Sequence, residues 1–140
     1  MKRAIGTIII ELLPSVTREI YASMRSLAQP ELTVFQFRIL KKLFLSPGTN
    51  NELAQWAGIN KATMSRALAT LEKRGLIERK TDEKDRRGNY IYLTPLGKIR
   101  FKTIRKIVGA MISKKAERIN MRKQKELIKG LEVLKEVFNK

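Results

Sequence analysis

The chain has 140 residues, with 30 Lys plus Arg against 13 Asp plus Glu, no Cys and no His, and a formal net charge of +17. Without Cys or His there is no disulfide framework, no thiol chemistry, no imidazole acid–base pair and none of the usual nitrogen or sulfur ligands for zinc, so neither an enzyme nor a metal or cofactor protein is expected. So basic a chain draws polyanions, nucleic acid first, and its longest apolar run, Ile8 to Ile10 and then Leu12-Leu13 after Glu11, falls far short of the roughly 20 residues a membrane span needs; a cytoplasmic protein with no membrane partner is expected.

Ile5, Ile9, Leu12, Val16, Ile20, Met24 and Leu27 recur at three- and four-residue steps, which predicts one long first helix. Pro14 should kink it or mark a restart near Ser15. Thr33 with Gln36 forms a capping box ahead of Phe37, Leu40 and Phe44, and Ser46-Pro47-Gly48 stops this second helix. Thr49 with Glu52 repeats the pattern before Leu53, Ala54 and Ala57, and Gly58 ends the third helix. Asn60 caps a fourth helix over 61–74, closed by Gly75. The period then changes: residues 76–80 and 90–93 read as the strands of a hairpin around a polar tip, 82–89. Thr94-Pro95 starts a fifth helix with Leu96, Ile99, Ile104, Ile107, Val108, Met111 and Ile112 along it, and Leu127, Leu131, Leu134 and Phe138 mark a sixth.

Residues 49–74 therefore read as a helix-turn-helix whose second helix suits a major groove. At about 100° per residue, Met64, Ala67, Leu68 and Leu71 share one side of that helix, leaving Ala62, Thr63, Ser65, Arg66, Ala69, Thr70 and Lys73 around the rest. Small side chains let a helix sink into a groove, hydroxyls serve base edges or phosphates, and an Arg can fork onto guanine. The plain alternative is an amphipathic helix with a solvated polar side. A hairpin directly after such a motif is a wing, and its tip reads Asp82-Glu83-Lys84-Asp85-Arg86-Arg87-Gly88. An arginine at a thin tip, here Arg87, can enter a narrow minor groove, with Asp85 orienting its guanidinium. The candidate DNA-binding set is Asn60, Lys61, Ala62, Thr63, Ser65, Arg66, Thr70, Lys73, Asp85, Arg86 and Arg87.

The segment Leu32 to Leu40, Glu52-Leu53-Ala54, Gly58 to Arg66, Leu71 to Ile77, Asp85 to Gly88 and Leu93 to Gly97 resembles, in order and spacing, the MarR family of winged-helix transcription regulators. The resemblance implies a mainly α fold: a winged helix-turn-helix with N- and C-terminal helices forming a dimerisation lobe. Its expected parts are residues 1–30, 31–95 for DNA binding, and 96–140. It further implies a homodimer on a pseudo-palindromic double-stranded DNA operator, most often a repressor, with Arg87 in the minor groove and Asp85 as its partner. Family members respond to small aromatic or anionic effectors, and Arg18, Tyr21 and Arg25, at helical spacing on the first helix, suit an aromatic carboxylate; charged residues snorkelling around an apolar stripe is the simpler account. Two positions depart from the family pattern, Ala57 for a larger aliphatic residue and Trp56 at a place usually polar, where core filling is expected. The absence of Cys excludes thiol sensing. A different class of function, an architectural protein coating DNA through charge without choosing a sequence, is also compatible with the composition.

Overall fold

The computed structural model describes residues 2–27, 32–81 and 89–139. Among them are six helices, α1 (Lys2–Arg25), α2 (Val34–Leu45), α3 (Asn50–Ala57), α4 (Lys61–Lys73), α5 (Pro95–Ala116) and α6 (Met121–Phe138), and three strands, β1 (Gly48–Thr49), β2 (Ile77–Thr81) and β3 (Asn89–Leu93). They fall into two compact units, one spanning Met24–Lys106 and the other Met1–Ser23 with Ile107–Lys140. The first of these takes in residues 96–106 as well as the expected 31–95 segment, for a reason that lies in its core.

That core gathers Leu32, Ile39, Leu40, Leu43, Leu53, Met64, Leu68, Leu71, Ile77, Ile91, Leu93 and Phe101. Phe101 packs its ring against Phe37 and Phe44, with centroids 5.2 and 4.9 Å away, and so holds the first turns of α5 to α2. Of the stripe expected along α5, Val108 is buried and Ile104 packs against the core, whereas Leu96, Ile99 and Ile107 are exposed; Phe101, which the stripe omits, is buried. Aromatic packing on a neighbouring helix is invisible to periodicity, which is why Phe101 escapes the stripe.

Local chemistry sets the helix ends. Thr33 caps α2 through a full capping box with Gln36, Thr49 accepts from the Glu52 N–H, and Asn60 accepts from the Thr63 N–H at 2.8 Å. Each cap satisfies backbone donors that the helix leaves unpaired and contributes about 1 kcal/mol. Gly58 ends α3 at φ 69°, a left-handed conformation that favours glycine. Of the two outcomes expected at Pro14, the restart near Ser15 does not occur: the helix runs through Pro14. Proline forfeits one backbone bond, and well-formed turns on both sides carry the helix across it. It ends at Arg25, so Leu27 lies past its last turn.

The sheet is antiparallel in the order β1-β3-β2. Ile77 pairs with Leu93 at the base of the hairpin and Thr81 with Asn89 at its far end. Alternation places Ile77, Ile91 and Leu93 in the core. In the other unit, α6 buries no residue, and Ile5, Ile8, Ile10 and Leu12 of α1 and Leu127, Ile128, Leu131 and Phe138 of α6 are exposed large apolar side chains. No helix among the described residues is long and apolar enough to cross a membrane.

Candidate nucleic-acid interface

The helix pair α3–α4 turns on Gly58, whose N–H reaches the Ala54 and Gln55 carbonyls, while the Ile59 N–H donates to Ala54 at 3.1 Å. This short, closed turn fixes where α4 begins. Met64, Leu68 and Leu71 are completely buried and Ala67 packs beside them. Burying three such side chains contributes about 1.5–3 kcal/mol each, so the rotation of α4 about its axis is set by the core. A helix anchored on that side must show the other outward. Lys61, Ala62, Arg66, Ala69, Thr70 and Lys73 are exposed along it.

The polar residues of α4 divide by what they already hold. The Asn60 side-chain oxygen is engaged in capping. Thr70 donates its hydroxyl to the Arg66 carbonyl at 3.2 Å, and Arg66 donates to the Thr63 hydroxyl at 3.3 Å, which steers the guanidinium along the exposed face. Ser65 is different. It is half-buried, and its hydroxyl accepts from the Asn50 side-chain amide at 2.5 Å. The serine expected to face a groove is thus bound to α3, and it braces α4 against the first turn of that helix.

A second brace joins α4 to the hairpin: Arg79 on β2 donates to the Glu72 carboxylate at 2.8 Å. On the hairpin's other face the Lys80 ammonium lies 5.3 Å from the Tyr92 ring centre. Neither Asn50 nor Arg79 carries a local sequence signal, because their partners stand 15 and 7 residues away. The tip residues expected to enter a minor groove, Asp85, Arg86 and Arg87, lie outside the described residues.

Trp56 does not fill the core as expected. It remains 37% exposed, and the Arg38 guanidinium covers its ring at 5.4 Å. Its neighbour Ala57 is the one that packs on the core; an indole at the end of a short helix finds a cation more readily than a vacancy. Of the three residues considered for an effector, Arg18 and Arg25 are exposed and Tyr21 is half-buried. Arg18 donates to the Ser15 hydroxyl at 3.2 Å, on its own helix.

Comparison with known proteins places this geometry. Residues 32–88 match the family model described as MarR family. The transcriptional regulator HosA of Escherichia coli is 35% identical over 69 residues, which are 49% of this chain and 51% of that protein. The chain therefore spans about half the length of the curated relatives it matches. The transcriptional regulator Tm0710 from Thermotoga maritima superposes with a TM-score of 0.77 at 23% identity over 95% of both chains. FabT of Streptococcus pneumoniae, solved in complex with DNA, superposes with a TM-score of 0.65 at 19% identity over 99% of this chain and 98% of its own. The mainly helical winged-helix fold is thereby established.

Proposed function

We propose that this chain, whose residues 32–88 match the MarR family, is a member of that family and a sequence-specific double-stranded DNA-binding transcription regulator that works as a homodimer and represses until a small effector releases it. The observation that carries the DNA-binding part is the presentation of α4. Its buried side is fixed by Met64, Leu68 and Leu71, its two ends by Gly58 and Gly75 at positive φ, and its exposed side offers small, hydroxyl and cationic groups in one row. That combination suits base edges approached from the major groove. Lys61 and Lys73 suit phosphates at the two ends, and at the wing tip Arg87 takes the minor groove beside Arg86, with Asp85 orienting the Arg87 guanidinium in this reading. The matched relatives named as transcription regulators, and FabT bound to DNA, support the same assignment.

The homodimer accounts for the exposed apolar residues of α1 and α6, far more than a solitary chain usually leaves in water. Repression and effector response rest on the family resemblance. An architectural role is the second reading, favoured by the net charge of +17, since charge alone binds DNA without choosing a sequence. Selection from a randomised duplex library with the full chain separates the two. The regulator reading expects an inverted-repeat motif bound roughly 10³-fold or more above random duplex. Enrichment of no motif, with a ratio near one, overturns it in favour of the architectural reading.

A further inference from the structure

The rings of Phe37, Phe44 and Phe101 join two helices whose charge is all of one sign: neither Val34–Leu45 nor Pro95–Ala116 contains an Asp or Glu. On α5, Lys98, Lys102 and Arg105 follow one another at four- and three-residue steps and so share one side of the helix. On α2, Lys41 stands between Phe37 and Phe44 at the same steps. All four cationic residues are exposed. Two of them converge on one ring. The Lys102 ammonium lies 5.7 Å and the Arg105 guanidinium 5.4 Å from the centre of Phe44, and Arg105 lies 5.1 Å from that of Phe101. A ring face attracts cations through its quadrupole but neutralises none of their charge. Among the described residues, no carboxylate forms an ion pair with Lys41, Lys98, Lys102 or Arg105.

The shared core decides which way this basic face looks. Met64, Leu68 and Leu71 of α4, Ile39, Leu40 and Leu43 of α2, and Phe101 of α5 all turn into it. Each helix shows its other side to solvent, so the face of α2 and α5 looks out on a different side of the core from α4. A duplex read by α4 leaves it uncovered. We propose that this face binds the phosphate backbone of a second DNA duplex without choosing its sequence, so that the protein bridges two duplexes. Clustered cations with no carboxylate beside them release the counterions condensed on a duplex, whichever bases it carries. The rings steady the stems of Lys102 and Arg105 and leave their charged heads at the surface. A lipid surface is anionic too, but interfacial binding draws on a broad apolar face, and Leu45 is the one large apolar side chain that α2 exposes. The second face rests on the α4 reading above only for the identity of the first duplex.

The test loads the full chain to saturation on a bead-bound selected duplex and measures capture of a labelled random duplex in dilute salt. The parent chain should capture it. Lys102→Glu with Arg105→Glu should lower capture by roughly tenfold or more and change affinity for the selected duplex by less than about threefold. Lys98→Gln with Lys102→Gln, which keeps Arg105 on its rings, should lower capture by roughly threefold or more. Lys125→Glu with Lys129→Glu makes the same charge change on the side of α6 away from Leu127 and Leu131, and should leave capture within about twofold. No capture by the parent chain overturns the proposal, as does equal loss in the two Glu variants, which would make net charge the cause. Loss of capture in Arg66→Ala at equal loading also overturns it, because the second duplex would then sit on α4 of a partner chain. Binding of phosphatidylserine vesicles through Lys102 and Arg105 without duplex capture overturns it in favour of a membrane surface. If selection yields no motif, a random duplex on the bead serves as the first. Capture that still depends on Lys102 and Arg105 then upholds the second face while the regulator reading falls.

Discussion

Ser65 and Arg66 are adjacent in the chain and do different work. Arg66 lies on the exposed side of α4 with its guanidinium steered by Thr63, whereas Ser65 is held by Asn50. Arg66→Ala should therefore lower affinity for the selected duplex by about 1–3 kcal/mol and relax the preference at one base position. Ser65→Ala should lower affinity for every duplex alike and leave the base preferences unchanged. Competition with single-base variants of the duplex reads both, and a changed preference in Ser65→Ala would return that residue to the groove. Gly97 is a residue of another kind, needed for what it lacks. With a backbone oxygen 2.0 Å from any Cβ, Gly97→Ala forces α5 off the Leu76 backbone. It should cost about 3 kcal/mol, the upper end for overpacking, seen as a lower urea midpoint with little change in slope.

At the scale of elements, Glu19 and Lys115 make a hydrogen-bonded ion pair between the N-terminal helix and the end of α5 within one unit. The hydrogen bond from Lys115, then its charge, with smaller help from Arg118 and Arg18, holds the Glu19 carboxyl below the usual carboxylate range. A carboxylate with a depressed folded-state pKa stabilises the fold above its ordinary pKa, and the contribution fades as pH falls through the lowered value. The melting temperature of Glu19→Gln should thus trail the parent at neutral pH and rejoin it in acid; a gap constant with pH would show that the pair contributes nothing through charge. What the sequence made legible at this scale was whatever chemistry closes within one turn. Thr33, Thr49, Asn60, Gly58 and Gly75 announced their helix ends because a cap and its target are three or four residues apart. The inward side of α4 was readable from Met64, Leu68 and Leu71 for the same reason. The contacts that orient those elements were not readable. Asn50 with Ser65, Arg79 with Glu72 and Phe101 with Phe37 and Phe44 join separate elements, and β1 is only two residues long.

For the whole molecule, charge and apolar surface predict different observables. If the basic surface meets many phosphates, log affinity should fall against log salt with a slope of about −0.9 per phosphate contacted, and a flat response would remove the phosphate contacts from the account. The exposed apolar residues of α1 and α6 predict a second chain, and two chains related by a twofold axis predict two copies of α4 about 34 Å apart, one turn of duplex. The most direct measurement is methylation interference on the selected duplex, which reports guanine N7 groups in the major groove. Symmetric interference at two major-groove patches about one turn apart, with Arg66→Ala abolishing part of each, is the result expected of α4 as the reading element. Full-affinity binding with no interference at any guanine N7 would mean that α4 does not read the major groove, and would contradict it.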